Sequence, residues 1–452
     1  MRTSLCAGLI LCLLAGQAHA GTFTDLGADG IQLTSLSVNG HIASGVIGGN
    51  GAWRWTKDEG ATAMAGFSSS LGMSSYAQPI VGAYSSDNQA SDAMAAMFFS
   101  NTPIIGAPEV LGGYPGTGGG TGQGISTAYG ISDDGVVVGL AYDASNLPIA
   151  FRWSTAEGWS RLPVNRANKF SRANGISKDG RTIFGWNDAT TGFRQGVIWR
   201  DGQTIDLVDT ATGNPVGEAL GASADGRVVV GYNFIGPNGN EAWRWTAETG
   251  VQPIGVIAAP PAGPTRTPAA IRRAMEAQRN VADERREARL PGPDGFFPPS
   301  ALAIAVSADG QTIVGGSGTG NVRNAVIWTN GGTTMQLLSD YAAARGVTIP
   351  SNIVGLISGN GISADGLTIG GIAAGTTNYR SYILDFHDDR RPLVQLTAAG
   401  TIGWNDLAAG PFVGVPAGTP VSMTFLISPN GSVIAPGQDT AYPVSVGSFV
   451  LR

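Results

Sequence analysis

Five aspartates recur in one short sequence context, and carboxylates that repeat in this way are candidate ligands for a metal ion. Calcium takes six or more oxygen ligands gathered at one point, and no single one of these segments supplies that many. Aspartate before glycine is typical of turns, because the carboxylate accepts backbone N–H groups and glycine adopts a positive φ. We therefore expect a structural turn, and no metal, at Asp134, Asp179, Asp225, Asp309 and Asp365.

A second candidate is the segment Trp186-Asn187-Asp188, in a predicted loop between two strands. An aromatic face with polar neighbours is suited to a sugar ring, and loops at one end of a fold commonly carry its function. The same residues also fit an ordinary surface turn, since Asn and Asp favour turns. Trp186, Asn187 and Asp188 are the ligand-binding residues that the sequence predicts.

Few residues suit catalysis. Beyond residue 20 the chain has two histidines, His41 and His387, and no cysteine, so a His/Cys metal site is unsupported. There is no Gly-x-Ser-x-Gly elbow, and the paired carboxylates of a glycoside hydrolase are not identifiable from the sequence. We expect no catalytic residue, no metal and no cofactor, and we favour a protein without enzymatic activity.

The turns belong to a unit of about 45 residues, a period typical of strand-rich repeat arrays. In the copy at Gly221 a strand ends, Asp225-Gly226 turns, and a β-branched second strand follows. A third strand contains Trp243 and Trp245 on one face, and a short fourth strand completes a propeller blade. Seven copies are present, and the copy near Gly72 has lost its Asp-Gly. The predicted fold is all-β: a seven-bladed β-propeller of four-stranded antiparallel blades.

The predicted domain order is a signal peptide at residues 1–20, a propeller at 21–386 and a β-sandwich-like segment at 387–452. Arg2, a short apolar run and Ala18-His19-Ala20 indicate secretory export and cleavage. The seventh repeat has only three strands, so we expect residues 22–27 to add the fourth and to close the ring. Closure would remove an open sheet edge, which otherwise favours aggregation.

One stretch between repeats, residues 256–300, begins and ends Pro-rich. A helix is predicted to start at Thr267-Pro268, and the run from Arg266 to Arg289 carries seven arginines against four acids. A solvated helix lying over one blade is the favoured interpretation. The alternative is a basic arm for an acidic polymer or for membrane headgroups.

Composition limits the partners. The net charge is −6, which gives no reason to expect nucleic acid. No stretch of 18 consecutive apolar residues is present, so we expect no transmembrane segment. Carbohydrate or another surface protein remains as a partner class, and the sequence does not indicate the oligomeric state.

The two repeated phrases, Gly-Ile-Ser-x-Asp-Gly-x-x-Val-x-Gly and Ala-Phe-Arg-Trp or Ala-Val-Ile-Trp, resemble those of the HAF-type probable extracellular repeat proteins of bacteria. The Ser-x-Asp-Gly element is also similar to the repeats of TolB-like and WD40-like propellers. The resemblance covers about residues 22–385. It implies export and a repeat architecture but transfers no catalytic residue, because the family's histidine before Ala-Phe is absent.

The sequence thus favours a secreted or surface-exposed binding module, located outside the cell, on its surface or in the periplasm. The alternative is a glycan-acting hydrolase or lyase with carboxylates in the propeller loops. A third possibility is a structural surface protein that is attached through its C-terminal segment.

Overall fold

The computed structural model describes residues 21–27, 30–47, 51–85, 94–99, 108–115, 124–190, 194–234, 240–256, 300–319, 322–376 and 378–387, with residues 416 and 419 and five short C-terminal strands. The predicted signal peptide and the predicted helical insertion lie outside these described residues. None of the helices in the described part of the chain is long and apolar enough to cross a membrane.

Seven sheets of four antiparallel strands form a seven-bladed propeller, as predicted. Strand β1 is Thr22–Asp25. Blades one to three consist of β2 (Ile31–Leu36), β3 (Ile42–Ile47), β4 (Gly51–Thr56) and β5 (Gly60–Met64); β6 (Phe67–Met73), β7 (Ile80–Tyr84), β8 (Met94–Phe98) and β9 (Glu109–Gly112); and β10 (Ser126–Ile131), β11 (Val137–Tyr142), β12 (Pro148–Ser154) and β13 (Gly158–Arg161).

Blades four to seven continue the same order. Their strands are β14 (Ser171–Ile176), β15 (Thr182–Asp188), β16 (Arg194–Arg200) and β17 (Gln203–Asp206); β18 (Ala219–Ala222), β19 (Val229–Phe234), β20 (Asn240–Thr246) and β21 (Gly250–Gly255); β22 (Ser300–Val306), β23 (Ile313–Thr319), β24 (Val322–Thr329) and β25 (Thr334–Leu337); and β26 (Ile353–Ile362), β27 (Thr368–Gly375) and β28 (Tyr379–Asp385). A short helix, α1 (Leu338–Ala343), lies between blades six and seven.

The N-terminal strand closes the ring, as expected from the three-stranded seventh repeat. Strand β1 pairs antiparallel with β28, so that Thr22 lies opposite Asp385 and Asp25 opposite Tyr382. The ring of Phe23 stacks on that of Tyr382 at 5.7 Å. Asp25 also forms an ion pair with Arg380 at 2.7 Å. The first and last blades are therefore joined by one sheet.

Hydrophobic side chains fill the interfaces between neighbouring blades. Trp243 and Trp245 of blade five pack against Phe184 and Ile198 of blade four, and Trp53 of blade one packs against Ile383 of blade seven. The tryptophans of the third strands, two on one face in blade five, therefore belong to the core between blades.

A glycine in the second strand of every blade is fixed by close backbone packing. The innermost strand of each blade has a register shift near its middle. At this shift a Cβ added to Gly185 would lie 2.1 Å from the carbonyl oxygen of Arg172, far inside contact distance. The same clash, at 1.8–2.1 Å, occurs at the equivalent Gly45, Gly82, Gly139, Gly231, Gly315 and Gly371. The last Gly of the repeated phrase is therefore a requirement of the fold.

The C-terminal segment contains five described strands. These are β29 (Val394–Thr401), β30 (Pro420–Ile427), β31 (Ser432–Val433), β32 (Thr440–Ala441) and β33 (Val450–Leu451). They form a three-stranded sheet in the order β29, β30, β33 and a separate pair, β31 with β32.

Candidate functional site

The ring has two faces with different chemistry. The turn face carries the Ser-x-Asp-Gly turns, which join the first and second strands of a blade. The loop face carries the connections between second and third strands and between one blade and the next.

On the turn face the predicted aspartates bond within their own turns. In the turn at Ser223, Asp225 Oδ1 accepts hydrogen bonds from the serine Oγ at 2.7 Å and from the Arg227 amide at 3.0 Å. Gly226 adopts a φ of 64°. The hydrogen bond from the serine hydroxyl to the aspartate of the same turn recurs at Asp134, Asp179, Asp309 and Asp365. Among the described residues, no group of three or more His, Cys, Asp or Glu side chains could hold a metal ion.

The second residue of each turn connects neighbouring blades around the axis. The Val38 amide donates to Ser75 O at 2.9 Å, and the Asp133 amide donates to Lys178 O at 2.9 Å. The Ala364 amide of blade seven donates to Val38 O of blade one at 2.7 Å. The turns therefore hold the blades together as well as reversing the chain.

Blade two, which lacks Asp-Gly, is held by its neighbours instead. Asp133 of blade three accepts both the amide of Ser75 at 2.8 Å and its hydroxyl at 2.5 Å. Lys178 of blade four donates its Nζ to Met73 O. Burial lowers the pKa of Lys178, although the charge of Asp133 opposes that effect. Ala77 stands where the other turns have their glycine, and it adopts a positive φ of 57° as those glycines do.

On the loop face, Trp186 lies within a ladder of rings and guanidinium groups that we call the aromatic–arginine ladder. It consists of Tyr129, Arg172, Trp186 and Arg194. The guanidinium carbon of Arg172 lies 5.0 Å from the Tyr129 ring centroid and 5.5 Å from that of Trp186. That of Arg194 lies 4.4 Å over Trp186. Trp186 is 4% exposed, so its ring faces mainly these cations.

Glu218 anchors the ladder to blade five. Its carboxylate accepts Arg172 Nη2 at 3.0 Å, Arg194 Nη1, Asn174 Nδ2 at 3.2 Å and the Tyr232 hydroxyl at 3.0 Å. Burial alone would raise the pKa of Glu218, but the charges of Arg194 and Arg172 hold it below its ordinary value. Glu218 is therefore an ionised carboxylate that links two blades.

The other two predicted binding residues are also buried. Asn187 is fully buried and donates its Nδ2 to Phe170 O at 2.9 Å, while its Oδ1 has no hydrogen-bond partner. Asp188 is 8% exposed. The predicted loop position is therefore wrong: Trp186, Asn187 and Asp188 are the last three residues of strand β15 and are buried beneath the loop face.

The sequence reasoning missed Tyr129, Arg172, Arg194 and Glu218. A signal was present, because Glu218, the residue just before β18, is equivalent to Arg172 in β14: the carbonyl oxygens of the two residues lie against the equivalent glycines Gly231 and Gly185. The equivalent residues of the other blades, aligned by their register with the second strand, are uncharged: Gln32, Ser69, Thr127, Leu302 and Ser358. Aligning the repeats position by position would have revealed these departures.

A third cluster lies on the turn face of blade seven. His387 Nε2 lies 2.8 Å from Asp365 Oδ2, and its Nδ1 lies 2.6 Å from Asp385 Oδ1. These hydrogen bonds, to Asp365 and then to Asp385, raise the pKa of His387 to about 10. The charged imidazolium clamps the blade-seven turn to the end of β28.

No protein-family model and no curated protein matches the sequence. Similar solved structures include TolB from Acinetobacter baumannii, 15% identical over 69% of this chain and 63% of that chain, with a TM-score of 0.39. The WD40 repeats of RRP9 are 12% identical over 82% of this chain and 99% of that chain, with a TM-score of 0.41.

A putative TolB from Agrobacterium tumefaciens is 15% identical over 50% of this chain and 80% of that chain, with a TM-score of 0.36. The chain spans less than two thirds of the Acinetobacter protein. All three of these propeller structures have TM-scores below 0.5, so the assignment of a seven-bladed ring rests on the strand pairing of this chain and not on these similarities.

Proposed function

We propose that this chain is an exported β-propeller that serves as a non-catalytic binding module, with its ligand on the loop face at blades four and five. The observation that carries the proposal is the buried charge of the aromatic–arginine ladder and Glu218. Arg172 is 6% exposed and Glu218 is 3% exposed.

The fold itself does not require this charge. Five blades place uncharged residues at the positions of Arg172 and Glu218. Removing ions from water is costly, and a buried ion pair often adds little net stability compared with apolar residues of the same size. Since five blades lack this cluster, it is best explained by a role other than folding, and ligand binding at the loop face is such a role.

Carbohydrate is the ligand class that we propose. Oδ1 of Asn187 and Oδ1 of Asn233 are buried without a hydrogen-bond partner, and they occupy equivalent positions in blades four and five. Hydroxyl groups donate hydrogen bonds to such oxygens, and because both oxygens are buried, a sugar would have to displace the groups that cover them. The carboxylate of Glu218 is engaged by two guanidinium groups, which suits a positioning role and not acid–base chemistry.

A glycan array probed with purified residues 21–452 tests this proposal. We expect a defined group of oligosaccharides to be retained and Arg194→Ala to weaken that retention about tenfold or more, since Arg194 is the outer member of the ladder. Arg152→Ala is the matched control, because Arg152 forms an exposed ion pair with Glu157 in blade three.

Three outcomes would contradict the proposal. One is retention of no glycan, which would favour a protein partner. Another is an equal effect of the two arginine substitutions. The third is release of new reducing ends from retained glycans, which would establish the glycan-acting enzyme instead.

Export is a proposal of its own. Expression of the full-length chain in a bacterial host should yield a product outside the cytoplasm whose N-terminal residue is Gly21. A cytoplasmic product that keeps residues 1–20 would contradict it.

A further inference from the structure

A cavity lies at the outer edge of the ring, between blades four and five and apart from the aromatic–arginine ladder. The connection from β17 to β18, residues 207–218, folds back over the start of β21. Asp209 forms a parallel bridge with Val251, and Thr210 Oγ1 donates to Val251 O at 2.7 Å. The connection is therefore fixed against the outermost strand of blade five.

The space beneath this connection measures about 350 Å³, within the range of small-molecule sites. Leu207, Val208, Trp245 and Val251 supply its apolar lining. Val208 is 42% exposed, as one of three exposed valines among the described residues with Val110 and Val354, and it forms the open side of the cavity. The cavity is thus shaped for an apolar group that can enter from solvent.

Two carboxylates, Asp206 and Asp209, also line the cavity. Arg166 binds Asp206 through two nitrogens at 2.7 and 3.1 Å, which offsets the charge of Asp206. Asp209 Oδ1 accepts the amides of Ala211 at 2.8 Å and Thr212 at 2.9 Å. Within the described part of the chain, no ion pair to Asp209 is found. Asp209 is therefore a fixed negative charge at the wall of an apolar cavity.

A nearby carboxyl group responds to this charge. The pKa of Glu241 is raised, first by burial and then by the charge of Asp209. The charge of Asp209 at the cavity wall would attract a cation and repel an anion.

We infer that this cavity binds a small organic ammonium ion, with its apolar body among Leu207, Trp245 and Val251 and its ammonium group beside Asp209. The carboxylate provides a charge-assisted hydrogen bond. The indole is a side chain to which cations are attracted. The site is independent of the loop-face function proposed above, and its failure would leave that proposal unchanged.

Benzylamine, benzyl alcohol and benzoate each contain one benzene ring and differ in charge, so they distinguish an effect of charge from an effect of shape. Each is titrated into purified residues 21–452, and binding is measured by calorimetry and by tryptophan fluorescence. Benzylamine should bind at least about tenfold more tightly than benzyl alcohol, and benzoate should bind most weakly. Nα-acetyl-lysine methylamide is a fourth probe. Tighter binding of that probe than of benzylamine would identify a partner's lysine side chain, and not a free amine, as the source of the ammonium.

Asp209→Asn keeps an oxygen for the two amides but removes the charge, so it should abolish the preference for benzylamine while benzyl alcohol binds as before. Asp201→Asn, at an exposed turn residue with a φ of 52°, is the matched control and should keep the preference. Val208→Trp should fill the cavity and abolish binding of all the probes. Equal affinities for amine and alcohol, an unchanged preference in Asp209→Asn, or unchanged binding in Val208→Trp would overturn the inference.

Discussion

The two faces of the ring use carboxylates in opposite ways. On the turn face, Asp225 and its counterparts accept hydrogen bonds from their own turns, and the arrangement recurs around the ring. On the loop face, Glu218 binds two arginines of the preceding blade at one place. The comparison teaches that a repeated feature in this chain reports on the fold, whereas a departure from the repeat points to another role.

The largest effect is expected from opening the ring. Deleting residues 21–27 removes β1 with Phe23 and Leu26, and we expect the free energy of unfolding to fall on the order of 5 kcal/mol from lost apolar burial and strand pairing. Thermal melting followed by circular dichroism measures this. Asp25→Asn, which loses only the ion pair with Arg380, should cost much less. Equal melting of the deleted and intact chains would contradict closure by β1.

Glu218→Gln should have the next largest effect. It leaves the buried guanidinium group of Arg172 and the partly buried one of Arg194 without their carboxylate, and breaking a buried ion pair typically costs about 3–5 kcal/mol. Chemical denaturation measures the loss. Glu157→Gln removes an exposed partner of Arg152 and should cost less than about 1 kcal/mol. Similar losses of unfolding free energy from the two substitutions would show that Glu218 contributes no more to stability than the acid of an exposed ion pair.

The clamp of His387 predicts a dependence of stability on pH. Hydrogen bonds to Asp365 and Asp385 raise the pKa of His387 from 6.5 to about 10. Because the folded protein holds this proton more tightly, the stabilisation is complete below pH 6.5 and is lost as pH rises through 10. We expect the melting temperature of the wild type to fall by several degrees across that window.

His387→Gln provides the comparison for this effect. Its melting temperature should start lower and change less between pH 6.5 and 10. The pKa values of Asp365 and Asp385 are lowered in spite of burial, through hydrogen bonds to His387, so wild-type stability should also decline in acid, below pH 3.8. Parallel melting curves for the two proteins from pH 6.5 to 10 would refute the clamp.

A single repeated turn should have the smallest effect. Asp225→Ala removes the acceptor for Ser223 Oγ and for the Arg227 amide, and we expect a loss of about 1–2 kcal/mol. Glu248→Ala, at an exposed turn residue of the same blade, is the control and should be nearly neutral. Should Asp225→Ala be as neutral as the control, the turn hydrogen bonds contribute no stability.

The sequence predicted the architecture well because the relevant physics is local and repeated. The Asp-Gly turns, the β-branched runs and the alternating Trp243 and Trp245 each specify one element, and seven copies reinforce one another. The incomplete seventh repeat also indicated the closure by residues 22–27.

The candidate site was only partly accessible from sequence. Trp186 was identified by type, but its burial under Arg172 and Arg194 depends on residues from separate strands and could not be inferred from neighbours in the chain. Glu218 lies in a connection, and its partners become apparent only when blades four and five are adjacent. The cavity at Asp209 depends on the path of an irregular segment that follows no repeat pattern.

The central claim is that departures from the repeat on the loop face carry binding, whereas the repeated turns contribute to stability and not to binding. Its most direct test measures, for one glycan retained on the array, the Kd and the melting temperature of Arg194→Ala and Asp225→Ala side by side. We predict that Arg194→Ala raises the Kd about tenfold or more, whereas Asp225→Ala lowers the melting temperature and leaves the Kd unchanged. An unchanged Kd in Arg194→Ala, or an equal rise in both variants, would contradict the claim.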